Sequence, residues 1–349
     1  MSATAVVEPL PYGSDELLRA VGPGWKETLG SAYRWMVLAR TLDRRMQALQ
    51  RQGRVGFYGA ATGHEAVNVA AGLASRPADW VFPGLREQLV ALVRGYSLTA
   101  YAHSLFADDR DVARGRPMPC HPTAREVNYV SMSSVIGTQI THAVGAAYGA
   151  RIRKDPGVVL AFFGDGATSS NDFHAGLNIA ASWQLPVVFV CANNGWAISV
   201  PGERQTAAKT LAEKAAAYGM PGRRVDGTDF VAVFQALTQT LEYVREGKGP
   251  SLLETPVFRM TPHSSSDDPG RYQPEDWMAR AQRLDPVARL EDWLLHHGLL
   301  TRELGASVVE TAEAEVRAAI EAAEAAPPPA PESLTQDVYA SASLTGPAA

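Results

Sequence analysis

The chain has 349 residues, of which 46% are hydrophobic and 20% are charged. This balance is typical of a globular protein that buries a large core in one big domain or two ordinary ones. The net charge of −5 argues against a broad nucleic-acid surface, although a local cluster of arginines can still hold a phosphate. No apolar run approaches the roughly 20 residues of a membrane helix, and the N-terminus lacks a signal-like pattern. We therefore expect a soluble, cytoplasmic protein.

The first half of the chain is predicted to be mainly helical. Residues 1–24 have the composition of an arm, with one short helix at 14–21. Apolar residues at helical spacing predict a long helix over 29–52, which ends at Gly53. Shorter helices are expected at 64–73, 85–94 and 98–106, followed by a loop over 108–125.

The centre of the chain carries an α/β pattern. Small residues dominate 136–153, as expected for a helix packed closely under a sheet. "GVVLAFF" and "PVVFVCA" are continuous apolar runs, and a helical stretch over 173–185 lies between them. Strand, helix and strand with uniformly apolar strands indicate a parallel sheet covered on both faces. Cys191 lies inside the second run, far from Cys120, so neither a disulfide nor a thiolate metal site is expected.

Further elements continue this alternation. We predict a helix at 207–218, a strand at 223–226, a helix at 229–246 and a strand in "PSLLETPVF". A polar loop over 260–274 precedes helices that run to about residue 325, and a Pro/Ala-rich tail follows. The expected organisation is an N-terminal arm (1–24), one main domain with C-terminal helices (25–325) and a tail (326–349).

Two polar turns follow the two apolar strands. "GDG" at 164–166 follows the first strand and "NNGWAIS" at 193–199 follows the second. Because ligands bind beyond the carboxyl ends of parallel strands, Asp165 and Asn194 can converge on one Mg²⁺ ion. The flanking glycines allow the backbone to approach a diphosphate, and the following helix offers free N–H groups to it. A lone GDG is usually only a turn; the pair at this spacing predicts a metal site.

The GDG and NN pair, with its spacing, is the thiamine diphosphate motif. Over roughly residues 28–325 the chain resembles the alpha subunit of the decarboxylating dehydrogenase of 2-oxo acid dehydrogenase complexes. The resemblance is carried, in family order, by "RQGRVGFYGAATGHEA", "FPGLREQ", "GRPMPCHP", "SSVIGTQITHAVGAAYGA", "GDGATSSNDFHAGLNIAA", "NNGWAIS", "QTAAKTLAEKAAAYGMPGRRVDGTD" and "PHSSSDDPGRY". It implies the thiamine diphosphate-binding fold, an α/β fold with a parallel sheet, helices on both faces and N- and C-terminal helical extensions.

The resemblance also assigns cofactor contacts. Asp165 and Asn194 would bind Mg²⁺ through their side chains, and Trp196 through its backbone carbonyl. Arg86 would clamp the diphosphate, next to Leu85, where relatives commonly have Tyr. The remaining expected cofactor contacts are Ser134, Val135, Ile136 (the apolar wedge that bends the cofactor), Gly164, Gly166, Ala167, Ile198 and His263.

The same resemblance assigns residues around the reaction. His263 and His121 match two family histidines at the reactive end of the cofactor, where imidazole suits proton transfer. The 2-oxo acid pocket would be lined by Phe57, Tyr58, Leu85 and Ser134. Ser133, Val135, Thr138 and Gln139 match a potassium-binding turn of some relatives, and Ser264 matches a serine that is phosphorylated in animal relatives.

Partners follow from the length of the chain and from the resemblance. The chain accounts only for the diphosphate-binding half of a thiamine enzyme, so the other half would come from a beta subunit in an α₂β₂ heterotetramer. The acyl group would leave on a lipoyl-bearing acyltransferase, because no lipoyl-type domain is evident.

The substrate and two other classes of function stay open at this point. "MPCHP" and "PHSSSDD" favour a branched-chain 2-oxo acid, whereas "QTAAKTLAEKAAAYGMPG" also resembles pyruvate enzymes; acetoin is a further option. "GDGATSSND" and "VDGTD" also resemble motifs of haloacid-dehalogenase-type phosphatases, but the nucleophile would fall at Arg224 and the motif order would be reversed. A non-catalytic remnant that binds a partner is the third option.

Overall fold

The computed structural model describes residues 24–264 and 266–336, so the helix expected at 14–21 lies outside the described residues. The helices in these ranges are α1 (Trp25–Arg51), α2 (Glu65–Ala74), α3 (Gln88–Val93), α4 (Leu98–Phe106), α5 (Thr138–Arg153), α6 (Asn171–Ser182), α7 (Phe230–Arg245), α8 (Trp277–Arg283), α9 (Pro286–His296) and α10 (Arg302–Glu324). The strands are β1 (Trp80–Phe82), β2 (Val159–Gly164), β3 (Val187–Asn193), β4 (Trp196–Ala197), β5 (Val200–Pro201), β6 (Gly222–Arg224) and β7 (Ser251–Pro256).

The main sheet has five parallel strands in the order β1-β2-β3-β7-β6. The two strands that precede the polar turns are adjacent, and Val159 pairs with Val187 at the start of their register. The helix between them, α6, makes the crossover that the apolar pattern predicts. The predicted parallel α/β fold is therefore confirmed.

Each central strand sends alternate side chains into two different cores. Leu160 and Phe162 of β2 join the larger core, built with α1, α2 and α7. Val159, Ala161 and Phe163 join the second core, built with α5 and α6. Both faces of the sheet are thus covered, which is why β2 and β3 are uniformly apolar.

Most predicted elements agree with the structure, and the differences include the following three. The α-helix predicted at 207–218 is wrong, because only Ala212–Tyr218 is helical and it forms a 3₁₀ helix. β1 was not predicted: three residues give too short an apolar run to stand out. The helix expected at 85–94 begins only at Gln88, since the preceding residues form a turn after β1.

The described part of the tail folds back on the loop over 108–125. The backbone N–H of Asp109 donates to Pro327 O at 3.0 Å, and Arg116 Nη2 donates to Gln336 O at 2.8 Å. The proposed boundaries at residues 24 and 325 stay predictions. Within the described ranges, none of the helices combines the length and apolar character that crossing a bilayer requires.

Candidate active site

Four neighbouring strands deliver polar residues to one edge of the sheet. Arg86 follows β1, Asp165 follows β2 and Asn194 follows β3. His263 lies in the loop that follows β7. Since all four strands are parallel, their carboxyl ends lie at the same edge, as the sequence predicted for Asp165 and Asn194.

A cavity of about 560 Å³ opens at this edge. Its wall contains fourteen of the residues expected to contact cofactor, metal or substrate: Phe57, Leu85, Arg86, Ser134, Val135, Ile136, Gly164, Asp165, Gly166, Ala167, Asn194, Trp196, Ile198 and His263. Met118, Gln139 and Ser264 also line it. The motif residues, which are scattered over more than 200 positions of the printed sequence, therefore surround a single space.

Asp165 and Asn194 are buried in the wall of this cavity, with 4% and 8% exposure. Asp165 Oδ2 accepts a hydrogen bond from Gln205 Nε2 at 2.9 Å. Asn194 Oδ1 accepts one from the Trp196 backbone N–H at 3.1 Å. Burial raises the pKa of the Asp165 carboxyl. A cation at this position would oppose that shift by favouring the carboxylate.

Trp196 and Ile198 belong to a short hairpin that follows Asn194. The indole of Trp196 packs against the rings of Tyr272 and Trp277, with centroids 5.3 and 5.9 Å away. Ile198 has a φ of 56°, and its carbonyl accepts a hydrogen bond from Arg259 Nη2 at 3.0 Å. Residues on either side of His263 in the sequence, Arg259 and Tyr272, thus hold the hairpin in place.

Arg86 and His263 form one unit. The Arg86 guanidinium is 5% exposed, donates through Nη1 to Ala60 O, and donates through Nη2 to His263 O at 2.9 Å. Burial lowers the pKa of Arg86 to about 10. Burial, together with the charges of Arg86 and Arg259, lowers the pKa of His263 to about 4. His263 is therefore a neutral imidazole near pH 7, able to accept a proton at one nitrogen.

The loop of His263 is fixed by a second buried arginine that the sequence analysis missed. Arg259 is 1% exposed and donates to the Tyr272 hydroxyl at 2.6 Å. Tyr272 in turn donates to Asp267 Oδ2 at 2.5 Å, and Asp267 Oδ2 accepts the His263 N–H at 2.8 Å. An arginine after an apolar strand gives no signal that separates it from a surface residue.

His121 lies close to the cavity, behind Ser134. Its Nε2 is hydrogen-bonded to Ser134 Oγ, and its ring lies 6.3 Å from that of Phe57. Ser134 and Phe57 line the cavity, whereas His121 does not.

Tyr58 is placed away from the cavity. Its side chain is 4% exposed, and its hydroxyl donates to Asp43 Oδ1 at 2.7 Å. Thr62 Oγ1 donates to the other oxygen of Asp43 at 2.7 Å. Phe57, its neighbour, is in the cavity wall instead. The structure thus buries the Tyr58 side chain against Asp43, and Tyr58 is not among the residues that line the cavity.

Two further titratable residues of the wall were not singled out from the sequence. His64 is 2% exposed, and neither ring nitrogen has a hydrogen-bond partner among the described residues. Burial, then the charges of Arg86 and Arg259, lower the pKa of His64 to about 3. Glu87 is 3% exposed, and burial raises its pKa to about 7. Both residues lie inside quoted motifs, "GHEA" and "FPGLREQ", but a single sequence does not show that they face a cavity.

The polar groups of the wall suit a magnesium diphosphate. One carboxylate, one amide oxygen and the carbonyls of the hairpin are oxygen ligands of the kind that Mg²⁺ takes together with phosphates and water. Buried atoms that have no hydrogen-bond partner among the described residues, including Gln139 Oε1 and both nitrogens of His64, need partners that a polar ligand can supply. An added Cβ at Gly166 would come within 2.8 Å of Ala197 Cβ, so only glycine fits this close approach of turn and hairpin. The residues present therefore fit the cofactor.

The fold and this edge of the sheet define an α/β protein of the thiamine diphosphate-binding class. The family model described as "Dehydrogenase E1 component" matches residues 33–332, and the chain belongs to this family. The predicted recognition as an alpha subunit of that dehydrogenase component is confirmed.

Curated relatives match most of the chain. The chain is 40% identical over 310 residues to the 2-oxoisovalerate dehydrogenase subunit alpha of Bacillus subtilis (strain 168), covering 88% of this chain and 94% of that protein. It is 40% identical over 288 residues to the 3-methyl-2-oxobutanoate dehydrogenase subunit alpha of Mycobacterium tuberculosis (strain ATCC 25618 / H37Rv), covering 82% and 76%. It is 38% identical over 290 residues to the pyruvate dehydrogenase E1 component subunit alpha of Staphylococcus aureus (strain Mu50 / ATCC 700699), covering 83% and 76%.

The phosphatase alternative has no support in this geometry. Arg224, where the nucleophilic aspartate would fall, lies on β6 and forms an ion pair with the buried Glu254 at 3.3 Å. A cationic side chain that is held by a carboxylate cannot act as the nucleophile of such an enzyme.

Proposed function

We propose that this chain is the alpha subunit of a branched-chain 2-oxo acid dehydrogenase, which decarboxylates its substrate and transfers the acyl group to a lipoyl group. The observation that carries the proposal is the single cavity that brings Arg86, Asp165, Asn194 and His263 together. Two of the relatives named above are branched-chain enzymes, and both are 40% identical to the chain. Pyruvate stays the second candidate, because a pyruvate dehydrogenase subunit matches at 38%; acetoin is the third.

The cofactor would be held at its diphosphate end by Arg86 and through Mg²⁺ by Asp165, Asn194 and the Trp196 carbonyl. The turn from Gly164 to Ala167 and the residues Ser134, Val135, Ile136 and Ile198 would complete its binding surface. Bound thiamine diphosphate supplies the electron sink for decarboxylation. Potassium at the turn formed by Ser133, Val135, Thr138 and Gln139 is part of this proposal, and the orphaned Gln139 Oε1 supports it.

His263 is the residue we assign to proton transfer at the reactive end. A neutral imidazole can accept a proton at one nitrogen and return it. The backbone of His263 is fixed by Arg86 and by Asp267, and the residue lines the cavity. His121 would share this work after release from Ser134. Phe57 and Leu85 supply apolar contacts for the substrate side chain.

The exposed apolar rim of the cavity supports a second chain that covers it. Val135, Ile136 and Ile198 are 65%, 56% and 53% exposed beside the cavity. Ile152 on α5 and Trp183 directly after α6 are 64% and 49% exposed. Groups of exposed apolar side chains mark protein interfaces. A beta subunit in an α₂β₂ assembly, a lipoyl-bearing acyltransferase as acyl acceptor and a cytoplasmic location complete the proposal.

The test is co-expression and purification with the beta subunit, followed by rates over a panel of branched-chain 2-oxo acids, pyruvate and acetoin. The assays are run with and without thiamine diphosphate, Mg²⁺ and K⁺. We expect the highest kcat/KM with a branched-chain acid and no activity without the cofactor. Activity without thiamine diphosphate would overturn the proposal, and a preference for pyruvate would select the second candidate.

Asp165→Ala tests the metal assignment in the same assembly. Loss of the carboxylate should weaken retention of cofactor and Mg²⁺, which equilibrium dialysis measures directly. Asp292→Ala, an exposed position on α9, is the matched control and should retain both. Normal affinity in Asp165→Ala would show that the cation binds elsewhere.

A further inference from the structure

We propose that Gln205 is a positioning residue of the metal site, which orients the Asp165 carboxylate and accepts a hydrogen bond from the hydrated cation. This inference rests on the proposed function, because that function requires a divalent cation at Asp165. Gln205 lies in the loop after the hairpin, and it belongs to none of the cofactor or metal roles assigned above.

The contact to Asp165 is direct. Gln205 Nε2 donates to Asp165 Oδ2 at 2.9 Å across 40 positions of sequence. The backbone N–H of Gln205 donates to Gly202 O at 2.9 Å, and Gly202 N–H donates to Gly195 O at 2.9 Å. These bonds hold the backbone at Gln205, and Nε2 also donates to Val200 O at 3.4 Å, so the side-chain amide is held by the same hairpin that follows Asn194. A donor that occupies one oxygen of a carboxylate sets the direction in which the other oxygen points.

The other end of the same amide lacks a partner. Gln205 Oε1 is buried and accepts no hydrogen bond within the described ranges. Because a carboxylate accepts and does not donate, Nε2 must face Asp165, so the orientation of the amide is fixed and Oε1 is the free acceptor. An ideal Cβ at Gly166 would lie 3.7 Å from Oε1, which places this acceptor beside the GDG turn.

A hydrated cation supplies the missing donor. Mg²⁺ gives up its waters reluctantly and usually keeps several of them in protein sites. A water of that shell beside Asp165 would donate to Oε1, so one amide would contact both the ligand carboxylate and the ligand water. Groups in this position typically change metal affinity by about 10- to 100-fold when they are removed.

A second cavity adjoins the pair formed by Asp165 and Gln205. It has a volume of about 600 Å³ and is lined by both Asp165 and Gln205, together with Lys209 and Glu254. Asp165 also lines the first cavity, so it forms part of the partition between the two. Gln205 lies on the side of the second cavity and braces the carboxylate from there.

The experiment measures cation affinity in the assembled enzyme with its beta subunit. Mn²⁺ is titrated at saturating thiamine diphosphate, and free ion is counted by its paramagnetic resonance signal. Gln205→Met retains the length of the side chain and removes both the donor and the acceptor. We expect its Kd for Mn²⁺ to rise by about 10- to 100-fold, while the unfolding temperature without cation stays at the wild-type value. Glu203→Leu, exposed in the same turn, is the control and should bind Mn²⁺ normally.

A double-mutant cycle separates positioning from a general effect on the loop. If Gln205 acts in part through Asp165, the loss of Mn²⁺ affinity in the variant that combines Asp165→Asn with Gln205→Met should be smaller than the sum of the two single losses. A Kd of Gln205→Met within twofold of wild type, an equal loss in Glu203→Leu, or additive losses in the double variant would each overturn the inference. A wild-type enzyme that needs no divalent cation would instead contradict the proposed function itself.

Discussion

Arg86 and His263 are joined by a hydrogen bond of 2.9 Å from guanidinium Nη2 to the backbone carbonyl, although 177 positions separate them in sequence. The expected diphosphate clamp and the expected proton-transfer residue therefore move together. A substitution that displaces either residue should therefore affect both diphosphate binding and proton transfer in this cavity.

Arg86→Met should weaken cofactor binding. Hydrogen bonds to charged groups contribute about 1.5 to 3 kcal/mol, so we expect the Kd for thiamine diphosphate to rise by about tenfold or more. Arg86→Lys should be nearly as weak, because an ammonium lacks the planar fork that matches a diphosphate. The measurement is a titration of the apo assembly at saturating Mg²⁺. Arg44→Met, at an exposed ion pair with Glu313, is the control, and equal affinities in all variants would contradict the clamp.

His64→Leu should make the apo protein less sensitive to acid. Burial lowers the pKa of His64 from its ordinary value of 6.5 to about 3 in the folded protein, so the unfolded chain binds the proton first. Its contribution to stability is present above pH 6.5 and is lost as the pH falls towards 3, at up to about 1.4 kcal/mol per pH unit. Urea unfolding between pH 4 and 8 measures this slope.

His64→Gln serves as the matched control, since it also removes the titration but keeps a polar side chain. Both variants should flatten the acid limb of the unfolding free energy. At pH 8, His64→Leu should also be more stable than His64→Gln, because leucine leaves no buried polar atom without a partner. A wild-type slope in both variants would contradict the buried, neutral state of His64.

Glu87→Gln should have the opposite pH dependence. The pKa of Glu87 is raised from 4.5 to about 7, so the folded protein holds the proton that the unfolded chain releases. Its contribution to stability is present below pH 4.5 and is lost as the pH rises through 7. The glutamine does not titrate, so the difference in unfolding free energy between variant and wild type should grow from pH 5 to 8 in favour of the variant. A constant difference across this range would show that Glu87 is already ionised in the fold.

Gly63→Ala should separate two loops of the active site. Gly63 has a φ of 97°, and an added Cβ would lie 1.9 Å from Phe258 O, in the segment that leads to Arg259 and His263. The strained conformation and the clash should lower the unfolding free energy by several kcal/mol, on the order of the most severe point mutations.

Gly30→Ala is the control for this substitution. Gly30 lies within α1 with nothing within 4 Å of the added Cβ, so alanine should stabilise the helix by about 1 kcal/mol. Thermal unfolding of the two variants compares them directly. A Gly63→Ala protein that unfolds at the wild-type temperature would mean that the loops do not touch in solution.

The sequence was sufficient for the two central strands and for the polar turns that follow them, because both have local signals. Continuous apolar runs marked β2 and β3, and polar turns with glycine marked the ends where Asp165 and Asn194 lie. Tyr58 could not be placed in this way: whether it or Phe57 faces the cavity depends on Asp43, a partner 15 positions away. The roles of His64 and Gln205 likewise depend on which atoms are left without partners after packing.

The order of the strands has a consequence for the chain as it is synthesised. β7 lies between β3 and β6 and pairs with both. β6 therefore has no neighbouring strand in this sheet until residues 251–256 have emerged from the ribosome. The segment with Arg259 and His263 follows β7 directly in the sequence. His263 and Ser264 are the last residues along the chain that line the first cavity, and Phe57 is the earliest. Contacts so distant in sequence form slowly and late. A ribosome-bound fragment that ends before His263 should therefore be unable to retain the cofactor, and cofactor capture belongs among the last events of folding.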